Sequence, residues 1–152
     1  MIEEGQEAPD FELRSDEGET VSLSSLRGQP VVLYFYPKDD TPGCTTQACG
    51  LRDVYTDLRA RGAVVLGVSP DGEASHMRFR EKYELPFTLL ADPDKTAAQA
   101  YDVWGERSMY GKTYMGVNRS TFVIDTDGTV TKALYGVKPD AHAQLVLGAL
   151  PG

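Results

Sequence analysis

Hydrophobic positions change their spacing repeatedly along this chain, and each change marks an element. Phe11-Glu12-Leu13-Arg14 and Glu19-Thr20-Val21-Ser22-Leu23 alternate apolar with polar around Ser15-Asp16-Glu17-Gly18, the pattern of a β-hairpin. After Pro30, Val31-Val32-Leu33-Tyr34-Phe35-Tyr36 is apolar without a break and rich in β-formers, as in a strand buried on both faces. From Cys44 to about Arg61 the period becomes helical. Leu51, Val54, Tyr55 and Leu58 stand at i, i+3, i+4 and i+7, and Gly62 supplies a stop. Ala63 to Ser69 reads as a second buried strand, Glu73 to Tyr83 as a helix, and Phe87-Thr88-Leu89-Leu90 as a short strand. Ala97, Ala100, Tyr101 and Trp104 predict one more helical face. Ser120 to Ile124 and Thr129 to Leu134 flank the turn Asp125-Thr126-Asp127-Gly128. Ala143, Val146, Leu147 and Leu150 mark a closing helix.

After the N-terminal hairpin the elements run β-α-β-α-β-α-β-β-α. That order predicts an α/β protein, a central mixed sheet flanked by helices, compatible with a thioredoxin-like fold. No repeat, low-complexity tract or Ser/Gly-rich linker interrupts the chain, so residues 1–152 are expected to form a single domain. Lys plus Arg number 15 against 23 Asp plus Glu, a formal charge of −8. Binding to nucleic acid or to an anionic membrane rests on basic residues, so neither partner is expected. Met1-Ile2-Glu3-Glu4-Gly5-Gln6 has neither the basic nor the apolar region of a secretory signal. The longest strongly apolar run, residues 31–36, falls far short of the roughly 20 residues that span a bilayer. A cytoplasmic protein is expected. In a reducing compartment the only two cysteines, Cys44 and Cys49, point to redox work or to coincidence rather than to a structural disulfide.

Candidate chemistry concentrates where the first buried strand runs out. Pro37-Lys38-Asp39-Asp40-Thr41-Pro42-Gly43-Cys44 leads from its carboxyl end into the helix, and α/β proteins place functional groups on such loops. At a helix N-terminus the partial positive charge favours thiolate over thiol. Pro37 and Pro42 limit the loop's freedom, while Gly43 lets backbone approach a ligand closely. A small buried Cys in a turn-rich loop is the plain alternative. Position, loop chemistry and the second cysteine weigh against it.

Pro37-x-x-x-Thr41-x-x-Cys44 resembles the active-site pattern of the peroxiredoxins, thiol peroxidases with a thioredoxin fold. The longer stretch Phe35 to Thr45, with Cys49 five positions after Cys44, is similar to the Q subfamily, also called bacterioferritin comigratory protein. The similarity continues at Ala8-Pro9-Asp10-Phe11, Gly67-Val68-Ser69-Pro70-Asp71, Glu81-Lys82-Tyr83, Leu85-Pro86-Phe87, Val103-Trp104-Gly105-Glu106 and Gly116 to Asp125, nearly the whole chain. The resemblance implies that Cys44 is the peroxidatic cysteine and that Pro37, Thr41, Gly43 and Arg119 form the peroxide-binding surround. It also implies that Thr41 and Arg119 hold the peroxide oxygens and stabilise the thiolate. Taken alone, Thr41 would be a turn residue and Arg119 a solvated charge at a strand start.

Ionisation alone cannot supply such an activity. A thiol of pKa ~8.5 is about 3% ionised at pH 7, so complete ionisation gains at most roughly 30-fold. The larger share must come from aligning the O–O bond with sulfur and stabilising charge on the leaving oxygen. A backbone N–H near Cys44, the Thr41 hydroxyl and the Arg119 fork suit that task.

Helix geometry bears on Cys49. Relative to Leu51, Cys44 lies about 20° away on the apolar face and Cys49 about 160° away, towards solvent. If the helix starts at Cys44, their Cα atoms stand ~8.7 Å apart, whereas a disulfide needs less than about 7 Å. The pair cannot bridge without local unwinding, which Gly50, weaker in a helix than Ala by about 1 kcal/mol, makes easier.

The resulting expectation is an atypical two-cysteine peroxidase acting on hydrogen peroxide or alkyl hydroperoxides. Cys44 becomes a sulfenic acid, Cys49 condenses with it, and thioredoxin or a similar dithiol, the reductant implied by the resemblance, reopens the disulfide. A monomer is expected, and the site requires no cofactor and no metal. The alternatives are a thiol–disulfide oxidoreductase acting on proteins, whose usual C-x-x-C spacing differs from this C-x₄-C, and a non-catalytic binding module. Cys44, Cys49, His76 and His142 fit no zinc-finger spacing, and Gly105 with Gly111-Lys112-Thr113 misses a phosphate-binding loop by one residue. Neither a Rossmann fingerprint nor a nucleophile elbow occurs. Trp104, Tyr110 and Tyr114 are expected in the core or a pocket wall, and His76 on a solvated helix face.

Overall fold

A computed structural model describes residues 1–150. In chain order the elements are β1 (Glu12–Ser15), β2 (Thr20–Ser22), β3 (Val31–Phe35), α1 (Pro42–Asp53), α2 (Tyr55–Ala60), β4 (Val64–Ser69), α3 (Glu73–Tyr83) and β5 (Thr88–Ala91). There follow α4 (Thr96–Ala100), β6 (Trp104–Met109), β7 (Lys112–Val117), β8 (Ser120–Ile124), β9 (Val130–Tyr135) and α5 (His142–Ala149). Seven strands form one mixed sheet in the order β2-β1-β5-β4-β3-β8-β9, and β6 and β7 form a separate two-stranded sheet. The sheet with its flanking helices is the thioredoxin-like arrangement expected from the element order, and β1 with β2 forms the N-terminal hairpin, Glu12 opposite Ser22.

β3 lies in the interior of the sheet, parallel to β4 and antiparallel to β8. Every residue of it is buried, as its unbroken apolar run requires. Side chains alternate along a strand, so Val31, Leu33 and Phe35 enter one core with Leu66, Tyr101 and Phe122. Val32, Tyr34 and the following Tyr36 enter the other, with Cys44 and Leu51 of α1, Phe79 of α3 and Val146 of α5. The candidate thiol therefore lies inside the second core, against the face of β3.

Three expectations about the helices need correction. The helix after β3 starts at Pro42 instead of Cys44, because a proline in the first turn gives up an N–H that has no intrahelical partner there. It also breaks: Val54 leaves helical geometry at φ −107°, ψ 10°, and α2 begins afterwards, while Leu58 keeps the apolar period across the break. Trp104 does not continue the helical face of Ala97 and Tyr101. α4 ends at Ala100, Asp102 turns the chain with φ 56°, and Trp104 opens β6.

The hairpin β6–β7 has no counterpart among the expected elements. Trp104 pairs with Val117 and Met109 with Lys112 around Tyr110 and Gly111, both at positive φ. Its side chains are mostly exposed on both faces, so the alternation that identifies a half-buried strand is missing. Tyr110 is 98% exposed and Tyr114 is also exposed, so neither is core or pocket wall; Trp104 is partly buried. Gly111-Lys112-Thr113 is the hairpin's turn and the start of β7.

Candidate active site

Tyr36 extends the pairing of β3, its N–H donating to Val68 O at 3.0 Å, before the chain enters the exposed Pro37 and the loop to Thr41. Thr41 occupies the N-cap position of α1 with extended backbone, φ −92° and ψ 156°. Its hydroxyl does not cap the helix. It donates to Lys38 O at 2.8 Å and so closes the loop on itself. The first backbone bond of the helix runs from Thr45 N–H to Thr41 O at 2.8 Å. The N–H groups of Gly43 and Cys44 thus belong to the opening turn, whose donors lack intrahelical acceptors.

Cys44 is the third residue of α1, with 1% exposure. Arg119, immediately before β8, crosses to it: Nη1 donates to Cys44 Sγ at 3.4 Å and to Gln47 Oε1 at 2.6 Å. Gln47 lies three residues beyond Cys44, hence on the same helix face, and is fully buried. Gly43 leaves room for this approach, since a Cβ there would stand 3.0 Å from Arg119 Nη2 and 3.4 Å from Pro139 Cγ. Of the residues expected at the site, Cys44, Gly43 and Arg119 therefore meet, and Thr41 and Pro37 stand in the loop that leads to them.

Beneath the thiol lies a polar layer that sequence reasoning missed. The His142 Nε2 pairs with Thr121 Oγ1 at 2.6 Å, and its ring centroid is 5.5 Å from that of Tyr34. Burial, and then the positive charge of Arg119, push the His142 pKa down to about 4, so the ring is neutral at neutral pH. Burial, followed by the negative charge of Cys44, pushes the Tyr34 phenol well up. Three buried polar atoms here lack a hydrogen-bond partner: Tyr34 OH, Gln47 Nε2 and His142 Nδ1. Gln47 was detectable as a polar residue on the Cys44–Leu51 face. His142 had no sequence signal, since one His at the start of a helix is ordinary.

Cys49 is half-buried rather than solvent-facing, and both thiols are free. They lie within one uninterrupted helix, in which ideal geometry separates their Cα atoms by ~8.7 Å. Beside Cys49, Gly50 lies against α5, where a Cβ would stand 3.6 Å from that of Ala143. His76 is not on a solvated face. It is completely buried, with Nδ1 2.7 Å from Asp39 Oδ2 and Nε2 2.9 Å from Leu90 O. Its three-residue spacing from Phe79, the other buried residue of α3, was the available signal.

Residues 4–133 match the AhpC/TSA family. Peroxiredoxin Bcp of Bacillus subtilis is 50% identical over 149 residues, which cover 98% of this chain and 95% of that protein. Peroxiredoxin Bcp of Escherichia coli is 46% identical over 149 residues, 98% of this chain and 96% of that one. Among solved structures, the bacterioferritin comigratory protein of Xanthomonas campestris, examined for its alkyl peroxide reduction activity, superposes with a TM-score of 0.87. It is 39% identical and the match covers 91% of this chain and 88% of that one. A buried cysteine at a helix start, faced by arginine, and relatives matching almost end to end agree: the chain belongs to the AhpC/TSA family, in its peroxiredoxin Q or Bcp branch, and is a thiol-dependent peroxidase.

Proposed function

We propose that Cys44 is the peroxidatic cysteine, that Cys49 resolves it within the same chain, and that thioredoxin or a similar dithiol returns both to the thiol state. The observation that carries this reading is the buried Cys44 sulfur in the first turn of α1 with the Arg119 guanidinium 3.4 Å away. The thiolate attacks one peroxide oxygen, the O–O bond breaks, and the second oxygen leaves as hydroxide or alkoxide, which a proton from solvent converts to water or alcohol. Arg119 serves both ends of that transfer, holding negative charge on sulfur before it and on the leaving oxygen during it. The N–H groups of the opening turn add to the same field. The Thr41 hydroxyl gives its hydrogen to Lys38 O, leaving its lone pairs to accept from the peroxide O–H. Gln47 holds the guanidinium in place.

The Cys44 sulfenic acid then condenses with the Cys49 thiol, forming the S–S bond and releasing water. Hydrogen peroxide and alkyl hydroperoxides are the proposed substrates, the latter supported by the X. campestris relative. The chain is proposed to act as a monomer, as one domain over its length, in the cytoplasm. The test is peroxide consumption driven by thioredoxin, thioredoxin reductase and NADPH. Wild type turns over, Cys44→Ser loses turnover with its fold intact, and substantial residual turnover in that variant contradicts the assignment.

A further inference from the structure

We infer that the buried Asp39–His76 pair is a positioning unit for the peroxide reaction, fixing the loop that delivers Cys44 to Arg119. This rests on the reading of Cys44 as the peroxide-reacting thiol.

Hydrogen bonds tie the pair to its surroundings on several sides. A carbonyl oxygen only accepts, so His76 Nε2, 2.9 Å from Leu90 O, carries a hydrogen. The other ring nitrogen then meets a carboxyl oxygen of Asp39 at 2.7 Å, a distance that two acceptors do not keep without a proton between them. The Asp39–His76 contact is therefore a hydrogen bond held away from water. The same carboxyl group accepts from Tyr36 OH at 2.5 Å and from Ser75 Oγ at 2.8 Å. Asp39 is thus held by donors from the end of β3 and from α3 at once. Its own N–H donates to Asp71 Oδ2 at 2.8 Å, and that oxygen also accepts from Ser69 Oγ at 2.6 Å. Asp39, Asp71 and His76 bring their ligand atoms within 4.8 Å of one another, a cluster held together by these internal bonds.

Little slack separates this clasp from the thiol. Asp40 reverses the chain with φ 57°, Thr41 is tied back to Lys38, and Pro42 opens the helix. Fixing Asp39 therefore fixes where α1 begins, and with it the line from Cys44 Sγ to Arg119. A 1 Å error in such an alignment costs about 100-fold in rate. The clasp also lies upstream of Cys44, so opening the helix between Cys44 and Cys49 does not require breaking it.

The test compares two reactions of Cys44 in the reduced full chain, its rate with hydrogen peroxide and its rate of alkylation by iodoacetamide, the latter read by mass spectrometry at that residue. His76→Gln keeps an N–H towards Leu90 O but leaves Asp39 without its nitrogen partner. Its peroxide rate is expected to fall about tenfold or more, while alkylation does not slow. His76→Asn, whose amide takes the place of Nδ1, should recover the peroxide rate to within about threefold of wild type. An unchanged peroxide rate in His76→Gln, or an equal fall in both reactions, overturns the inference. If His76→Gln does not fold, Ser75→Ala removes one donor from Asp39 at a half-buried position. A fall of about threefold in peroxide rate alone supports the inference, and no fall overturns it. A wild type that fails to react with peroxide overturns the assignment of Cys44 and this inference with it, an outcome distinct from failure of the His76 variants alone.

Discussion

Arg119 Nη1 stands 3.4 Å from Cys44 Sγ, close enough to act on the sulfur and on whatever oxygen the sulfur attacks. The chain achieves this by leaving position 43 without a side chain and by placing Gln47 one helical turn on, where its carbonyl accepts from the same nitrogen at 2.6 Å. Residues 43 to 47 supply one side of this contact and Arg119, 75 positions beyond Cys44, supplies the other.

Arg119→Met is expected to lower peroxide reactivity by more than the lost thiolate accounts for. Loss of ionisation explains at most roughly 30-fold at neutral pH. Rates compared at a pH where Cys44 is fully ionised in both proteins isolate the remainder. Equal rates there would leave Arg119 a role in charge alone.

Gln47→Met separates activity from stability. The buried amide nitrogen of Gln47 has no partner, so replacing the side chain by one of similar shape should shift stability by no more than about 1 kcal/mol. Arg119, however, loses its strongest anchor. The peroxide rate should fall about tenfold, because the guanidinium is no longer held in line with the sulfur. Thermal unfolding and single-turnover oxidation on the same sample check both halves.

Oxidation to the Cys44–Cys49 disulfide should open α1 between residues 44 and 50. Both cysteines lie in one continuous helix, with Cα atoms ~8.7 Å apart where a disulfide tolerates about 7 Å. Amide hydrogen exchange should show protection lost there on oxidation, with the loop before Pro42 unchanged. Cys49→Ser should keep the stoichiometric reaction with peroxide, lose efficient thioredoxin-driven turnover, and accumulate or overoxidise the sulfenic acid. Undiminished protection of residues 44 to 50 in confirmed disulfide would contradict the geometry.

His142 gives the fold a predictable acid sensitivity. Its folded pKa, about 4, is below the ordinary 6.5, held there by burial and by Arg119; the Thr121 hydroxyl and the Tyr34 ring are its other neighbours. Unfolded chains take up this proton first, so the contribution is fully present above about pH 6.5 and lost as pH falls towards 4. Its full size is about 3 kcal/mol. His142→Gln, which keeps a hydrogen-bonding group towards Thr121, should flatten that part of the stability profile. Urea unfolding of both proteins from about pH 7 to about pH 4.5 measures it.

The parts of the fold that were legible share one property: their burial is periodic. Val31 to Phe35 declared a doubly buried strand, and the loop after it declared a site, because no other stretch joins a buried strand to a cysteine at a helix start. Arg119 was reachable only through the family resemblance, since spacing alone gives no reason to bring residue 119 to residue 44. His76 misled because α3 is polar nearly throughout and buries only His76 and Phe79, so its inner face resembles a solvated one. The β6–β7 hairpin, exposed on both faces, left no pattern to read.

The most direct measurement treats reduced Cys49→Ser with one equivalent of hydrogen peroxide and maps the sulfenic acid by trapping and mass spectrometry. The account predicts stoichiometric sulfenic acid at Cys44, and its loss when Arg119→Met is added under the same short exposure. Sulfenic acid elsewhere, or none at Cys44, would contradict the claim that this buried thiol and its arginine are the peroxide-reducing centre.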